Sequence, residues 1–257
     1  MTSFEISDRS VIESVLRRDV GRHIYELGDL DDFFWPYTRW YGTGTPDAPE
    51  AVILEYRGGE TPAVLALSSR TQALSRLLHE ISDALPDRFF MHVSPACCDS
   101  LGNSRERTFR GRQLKMVLKQ MPPRSTGIPA VALDPQNLEE LSELYAVSYP
   151  DNWFDPRMLE TGFYFGIRRN ARLVSVAGVH AVSPSYGVAA IGNVATHPDY
   201  RNHGLGRCAT QALIQALATT VDNIGLNVSA HNPAAIRAYN GLGFHTVCEF
   251  EEWQISR

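Results

Sequence analysis

Residues 191–207 contain a strand, a tight turn and a glycine-containing helix start, and this order constrains the fold most. An apolar run over residues 188–194 leads into the turn at His197-Pro198. Residues 208–218 then continue as a helix rich in Ala, Leu, Ile and Gln, with no helix breaker. A second apolar run, residues 224–230, follows after a crossover long enough to make the two strands parallel. The pattern predicts an α/β fold (α+β, with a mixed sheet).

The start of this helix has the composition of a pyrophosphate-binding site. Gly204 and Gly206 let the backbone approach a ligand closely, and the first N–H groups of a helix have no intrahelical acceptor. Arg201 and Arg207 add positive charge beside them. The pattern Arg-x-x-Gly-x-Gly should occur by chance in roughly one chain in twenty of this length. The prediction therefore depends on the strand before the glycines and the helix after them.

With a second motif downstream, this stretch resembles the GNAT superfamily of acyl-CoA-dependent N-acyltransferases. The cofactor loop of that family has the pattern Arg/Gln-x-x-Gly-x-Gly/Ala after a strand, which Arg201, Gly204 and Gly206 match. Residues 232–244 are similar to its second motif, in which an Asn at a strand end precedes a short helix with Ala235 and Tyr239. The resemblance covers about residues 130–257, in a layout similar to the glycine N-acyltransferase-like branch.

The resemblance implies acetyl-CoA, or another acyl-CoA, as the cofactor, and it assigns roles to individual residues. The pantetheine arm is expected along a strand end, where the N–H of Ala195 would stabilise the oxyanion. Tyr239 matches the proton-donor position, because a phenol with a pKa of about 10 keeps its proton at neutral pH. Asn232 is expected to contact the pantetheine and also fits a helix N-cap. The expected cofactor-binding residues are Val194, Ala195, Thr196, Arg201, Asn202, His203, Gly204, Leu205, Gly206, Arg207 and Asn232.

Two features depart from the family pattern. Many members have a Glu or Asp on the cofactor strand, but residues 187–196 contain no carboxylate. The general base stays open between water and four side chains, His180, Asp151, Glu160 and His197. In addition, one strand, residues 244–256, follows the Tyr239 helix where the family usually has two. The missing strand is expected from the N-terminal half or from a partner chain, and Glu251 and Glu252 are interpreted as a solvated edge.

The chain is predicted to have two domains. Residues 121–130 combine three prolines with Gly, Ser and Thr, which is typical of a linker. We predict an N-terminal α/β domain over residues 1–121, a linker over 122–130 and a GNAT N-acyltransferase domain over 131–257. The order of elements in the N-terminal half indicates a degenerate, GNAT-like copy. It is predicted not to bind CoA, because it lacks Arg-x-x-Gly-x-Gly.

An aromatic segment, residues 27–41, allows two interpretations. Phe33, Phe34, Trp35 and Trp40 are expected to pack into the core. The alternative is a surface that binds an amine through aromatic and carboxylate groups.

The composition limits the classes of partner. A net charge of −5 argues weakly against nucleic acid as a partner. No apolar run is long enough to span a membrane, and the N-terminus lacks the features of a signal peptide, so a cytoplasmic location is expected. The four cysteines have no CxxC spacing and are expected to be thiols, with no metal site.

The resemblance thus predicts an N-acetyltransferase that moves an acyl group from acetyl-CoA to the amine of a small molecule. A CoA-binding sensor or interaction module without catalysis is the alternative, and a homodimer remains open.

Overall fold

The computed structural model describes residues 3–123, 127–150 and 152–257. The strands are β1 (Phe4–Ile6), β2 (Thr38–Thr45), β3 (Ala48–Tyr56), β4 (Ala63–Ala66), β5 (Arg88–Val93), β6 (Glu106–Leu118), β7 (Val131–Ala132), β8 (Phe165–Arg169), β9 (Arg172–Ser183), β10 (Val188–Thr196), β11 (Asn223–Ser229) and β12 (Phe244–Ser256). The α-helices are α1 (Arg9–Leu16), α2 (Ile24–Gly28), α3 (Thr71–Ile81), α4 (Leu138–Ser148), α5 (Leu205–Leu217) and α6 (Pro233–Asn240).

The chain divides into two compact units. The first contains Met1–Met116, Val228–Asn232 and Thr246–Arg257, and the second contains Val117–Asn227 and Pro233–His245. The predicted linker, 122–130, includes residues 124–126, which lie outside the described part of the chain. The domain boundaries inferred from the sequence therefore remain a prediction.

The first unit has the strand order β1-β2-β3-β4-β5-β12-β6. Neighbours from β1 to β4 are antiparallel, whereas β4 and β5 are parallel and α3 connects them. Helix α3 buries Leu74, Leu77, Leu78 and Ile81, the apolar face that the sequence predicts. All four cysteines are free thiols, as expected, and burial raises the pKa of Cys97.

Strand β12 is an interior strand of the first unit. It pairs antiparallel with β5, from Glu251 opposite Val93 to Ser256 opposite Arg88, and it has β6 as its other neighbour. Burial raises the pKa of the Glu252 carboxyl, which accepts a hydrogen bond from Gln113 Nε2 at 2.9 Å. The interpretation of Glu251 and Glu252 as a solvated edge is therefore wrong, because both flanks of their strand are occupied.

The aromatic segment is only partly buried. Phe34 and Trp40 are buried as expected, but Phe33 is 37% exposed, so its expected burial is wrong. Trp35 is half-buried, and the guanidinium carbon of Arg9 lies 4.6 Å from its ring centre. The segment bends through a short 3-10 helix, Trp35–Tyr37, before β2 begins, so its aromatic rings do not share one face.

The second unit has the strand order β11-β10-β9-β8-β7. Strands β9 and β10 are antiparallel, and β10 and β11 are parallel as predicted, with α5 as the crossover. Helix α5 packs on β8, β9 and β10 through a buried face that includes Leu213 and Leu217. Gln215 Nε2 donates a hydrogen bond to the Pro122 carbonyl at 3.2 Å, and Gln211 donates to the Pro123 carbonyl. The carbonyls of these two prolines are thus hydrogen-bonded to side chains of α5.

None of the helices in the described part of the chain combines the length and apolarity needed to span a bilayer.

Candidate active site

Strands β10 and β11 pair over only part of their length. Their parallel register runs from Val188 opposite Asn223 to Ile191 opposite Leu226, while β10 continues to Thr196. Residues 194–196 therefore lie beyond the last pair with β11. An extended ligand with amide groups can add to a strand edge of this kind through backbone hydrogen bonds.

A bulge at Asn193 marks the point where β10 changes direction. The register with β9 shifts between Gly192 and Ala195, and Asn193 has a φ of 53°, in the left-handed region that asparagine tolerates. The hydroxyl of Tyr145 donates to the Asn193 carbonyl at 2.8 Å, and Asn193 Nδ2 donates to the Tyr164 hydroxyl at 3.0 Å. Two tyrosines thus fix the bulge from helix α4 and from the segment before β8.

The first turn of α5 offers backbone N–H groups without a side-chain cap. Its N-cap residue, Gly204, has a φ of 73°, and the Cys208 N–H donates to the Gly204 carbonyl at 3.0 Å. The N–H groups of Leu205, Gly206 and Arg207 precede that first intrahelical bond and face outward along the helix axis. A Cβ at residue 204 would meet no atom within 4 Å, so the space directly beside Gly204 is open. This arrangement suits a phosphate group.

Gly206 has a different role from Gly204. A Cβ at residue 206 would lie 3.2 Å from Thr196 Oγ1, so the absence of a side chain lets α5 pack closely on β10. The sequence interpretation assigned both glycines to close approach by a ligand. In the structure only Gly204 borders open space.

The two arginines of the motif attach the loop to its neighbours. Arg201 donates from Nε to the Thr196 carbonyl and from Nη2 to the Ser148 carbonyl, each at 3.2 Å. Arg207 Nη2 donates to the Gly241 carbonyl at 3.3 Å, which joins the first turn of α5 to the end of α6. Both side chains are exposed, so they keep donors for an anionic ligand. Asn202, with a φ of 64°, and the exposed His203 complete the loop.

Tyr239 lies on α6, two residues before the carbonyl that Arg207 contacts. Its ring meets the ring of Phe244 edge to face, with centroids 6.0 Å apart. Burial, with a smaller contribution from Tyr149, raises the pKa of Tyr239 to about 12. Its hydroxyl makes no hydrogen bond to any residue of the described chain. A protonated phenol of this kind can donate to a leaving thiolate.

Asn232 belongs to the Val228–Asn232 segment of the first compact unit. It is exposed, and its backbone N–H donates to the Ser229 carbonyl at 2.9 Å. Its contact with the cofactor remains a prediction.

The candidates for the general base differ in environment. Burial lowers the pKa of His180 to about 4, so its imidazole is neutral and weakly basic at pH 7. His197 is buried, and its Nδ1 accepts a hydrogen bond from the Asp199 N–H at 3.3 Å. Glu160 is exposed, and Asp151 lies outside the described residues. The side chains of the described residues form no cluster that could hold a metal ion.

Comparisons with known proteins identify the family of this chain. Residues 132–244 match the family described as the acetyltransferase (GNAT) family. The chain is 31% identical over 102 residues to the [ribosomal protein bS18]-alanine N-acetyltransferase of Escherichia coli K12. These residues make up 39% of this chain and 67% of that protein. The chain belongs to the GNAT acetyltransferase family. It is accordingly an acyl-CoA-dependent N-acetyltransferase, as the sequence predicts.

Solved structures show that the fold extends over both halves of this GNAT protein. An X-ray structure of a Drosophila protein is similar with a TM-score of 0.70 and 12% identity, over 99% of this chain and 98% of that one. A tandem GNAT protein from the clavulanic acid biosynthesis pathway has a TM-score of 0.57 and 14% identity, over 98% of each chain. The predicted fold class is thus confirmed, including an N-terminal half similar to GNAT structures. The likeness to the glycine N-acyltransferase-like branch stays a prediction.

The residues of this chain fit an acyl-CoA, which GNAT acetyltransferases use as co-substrate. The uncapped start of α5 and the two arginines suit its pyrophosphate, and the open end of β10 suits its amide-containing arm. The sequence interpretation missed Tyr145, Tyr164 and Asn193, which shape this end of β10. A local signal existed only for Asn193, since asparagine after glycine within an apolar run is typical of an irregular strand.

Proposed function

We propose that this GNAT protein transfers the acetyl group of acetyl-CoA to a primary amine of a small molecule. The single observation that carries the proposal is the uncapped start of α5, with Gly204 at a φ of 73° and no atom within 4 Å of a Cβ placed there. It lies directly after the end of β10 that has no register partner on β11.

Each part of the site has one role in this proposal. Residues 202–207 hold the pyrophosphate through main-chain N–H groups, with charge from Arg201 and Arg207. Residues 194–196 hold the pantetheine arm along the strand edge, and the Ala195 N–H stabilises the oxyanion. When bound, acetyl-CoA supplies the thioester carbon that the amine attacks.

Tyr239 acts as the general acid. Its raised pKa keeps the hydroxyl protonated over the whole neutral range, and it lies on α6 two residues before Gly241, whose carbonyl accepts a hydrogen bond from Arg207 of α5. It donates its proton to the departing sulfur. The amine nitrogen loses its own proton to water, because β10 has no carboxylate and the half-buried His180, with its pKa lowered to about 4, is a weak base.

A second acceptor has support from sequence similarity. The Escherichia coli relative at 31% identity is named for acetylation of an alanine in ribosomal protein bS18. A peptide with a free N-terminal alanine is therefore the alternative substrate of this chain. A cytoplasmic location and a homodimer are further expectations, and gel filtration would test the latter.

A screen of amines tests the proposal. Acetyl-CoA is incubated with the full chain and a panel of polyamines, amino sugars, amino-acid amides and an alanine-starting peptide. Thiol release and the mass of each product are recorded, with a reaction without amine as the control. A small molecule gaining one acetyl group, with equal thiol release, is the expected result. Acetylation of the peptide alone would favour the alternative, and thiol release equal to the control for every amine would refute acyl transfer.

A further inference from the structure

Two side-chain oxygens in the second unit are buried without a hydrogen-bond partner in the described part of the chain. They are Oδ1 of Asn193 on β10 and Oδ1 of Asn227 on β11. Leaving a buried carbonyl unpaired is costly, so such groups are rare unless a ligand or water completes them. Two of them on neighbouring strands indicate a binding site for a hydrogen-bond donor.

The orientation of the Asn193 amide follows from its neighbours. The Tyr164 hydroxyl donates its proton to the Val179 carbonyl at 3.1 Å, so it accepts the hydrogen bond from Asn193 Nδ2 at 3.0 Å. The nitrogen of the amide is therefore on the tyrosine side, and Oδ1 is left for a donor from elsewhere. Asn193 is 3% exposed, so that oxygen is not simply hydrated on the surface.

The strand register shows on which face of the sheet the Asn227 side chain lies. It follows Leu226, which pairs with Ile191, and successive side chains of a strand point to opposite faces. Gly192 follows Ile191 in the same way. The Asn227 side chain and the side-chain position of Gly192 therefore lie on the same face of the sheet. On this face the His180 ring covers Gly192, because a Cβ on Gly192 would lie only 1.9 Å from His180 Cδ2.

Asn193 lies on that same face because of the bulge. Its amide bonds to Tyr164, whose ring covers Gly178, and a Cβ at Gly178 would lie 2.2 Å from the ring. Gly178 is the partner of Gly192 across β9 and β10, so both glycines present the same face. The two side-chain amides thus lie on one face of adjacent strands, just beyond the last register pair, Ile191 and Leu226. They lie where β10 and β11 part.

We propose that the side-chain carbonyls of Asn193 and Asn227 bind the two N–H groups of the acceptor's primary amine. This inference rests on the proposed acetyl transfer at the same site. A neutral primary amine has two N–H donors and one lone pair. Two acceptors that take both N–H groups leave the lone pair directed to the third side, toward the end of β10 where the thioester is held.

The surroundings favour an uncharged amine. Both carbonyls are neutral, and His180 on the same face is neutral at pH 7. An ammonium ion would lose its hydration beside these neutral groups, whereas a neutral amine loses less. The site therefore selects the nucleophilic form of the amine, and it distinguishes primary amines from secondary ones, which have a single N–H.

Calorimetry on the full chain tests the inference with a readout other than turnover. The protein is saturated with CoA and titrated with the amine that the screen finds to be the best substrate, and then with its N-methyl derivative. Asn227→Leu removes the carbonyl at similar size and should weaken binding of the primary amine about tenfold. Asn227→Asp keeps an acceptor and adds a carboxylate that can pair with the ammonium form, so it should bind the amine at least as tightly as the wild type. The CoA dissociation constant should change less than about twofold in both.

Asn223 provides the matched control on the same strand. Its Nδ2 donates to the Gly187 carbonyl at 3.3 Å at the opposite end of β11, so Asn223→Leu should leave amine affinity unchanged. The N-methyl derivative should bind the wild-type protein more weakly than the primary amine. It should also lose less affinity in Asn227→Leu.

Unchanged amine affinity in Asn227→Leu would overturn the inference, as would weakened CoA binding with normal amine binding. If Asn227→Leu fails to fold, the same titration is made with Asn193→Gly. Glycine adopts the φ of 53° freely and removes the other carbonyl, so this variant should also bind the primary amine more weakly. If amines are acetylated with normal affinity in these variants, the inference alone fails. If no amine is acetylated, the proposed function fails and the inference fails with it.

Discussion

A single charge at residue 204 tests where the pyrophosphate binds. Gly204 has a φ of 73°, and a Cβ there would meet no atom within 4 Å. Asparagine and aspartate tolerate this backbone conformation better than other residues, and they have almost the same size. Gly204→Asn and Gly204→Asp should therefore strain the loop equally and differ by one negative charge.

The expected difference follows from Coulomb's law. A carboxylate about 5 Å from one phosphate charge, at an effective dielectric constant of about 20 to 40, is repelled by about 2–3 kcal/mol. Gly204→Asp should thus bind CoA roughly 30- to 150-fold more weakly than Gly204→Asn. Gly204→Asn should itself stay within about fivefold of the wild type.

Calorimetry with CoA at low salt and at about 1 M salt measures this difference. The gap between the two variants should narrow at high salt, where the Debye length falls to about 3 Å. Equal affinities of Gly204→Asn and Gly204→Asp at low salt would refute the placement of the pyrophosphate at the start of α5.

Three further predictions concern catalysis and folding. Tyr239→Phe should lower kcat at least about tenfold and leave the CoA dissociation constant within a few-fold, and an unchanged single-turnover rate would exclude Tyr239 as the general acid. Lys115→Met should cost about 3–5 kcal/mol of unfolding free energy in urea, because Lys115 Nζ lies 3.4 Å from the Glu26 carboxylate and both side chains are 3% exposed. Burial alone would raise the pKa of Glu26, but Lys115 and His23 hold it at about 2, against an ordinary value of 4.5. The ionised Glu26 therefore makes its full contribution to the unfolding free energy above pH 4.5, and this contribution should be lost as the pH falls toward 2. In Lys115→Met the unfolding free energy should fall less over this pH range. A fragment of residues 125–257 should aggregate, because it contains β12 without β5; a soluble, monomeric and active fragment would contradict this.

The sequence predicts the elements whose signals are local. Helix α5 and the parallel strands on either side of it follow from apolar periodicity, an uninterrupted helical stretch and a glycine at the helix start. Strand β1 has three residues, and β2 contains Gly42 and Gly44, so neither gives a readable alternation. The pairing of β12 with β5 joins residues far apart in the chain, which no local pattern can specify.

Part of the candidate site can likewise be predicted from local sequence, and part depends on residues from other elements. The loop over residues 201–207 is readable because a helix start that binds phosphate needs glycines and cations at fixed spacing. The bulge at Asn193 depends on the hydroxyls of Tyr145 and Tyr164, which reach it from other elements. The unpaired oxygen of Asn227 is defined by what is absent around it, so it becomes visible only after folding.

The number of CoA molecules bound per chain tests the central claim most directly. The claim is that α5 and the open end of β10 form a single acyl-CoA site, and that the N-terminal half, without Arg-x-x-Gly-x-Gly, forms none. Calorimetric titration of the full chain with CoA should give a stoichiometry near one, and at low salt Gly204→Asp should weaken that binding event roughly 30- to 150-fold relative to Gly204→Asn. A stoichiometry near two, or wild-type affinity for CoA in Gly204→Asp, would contradict the claim.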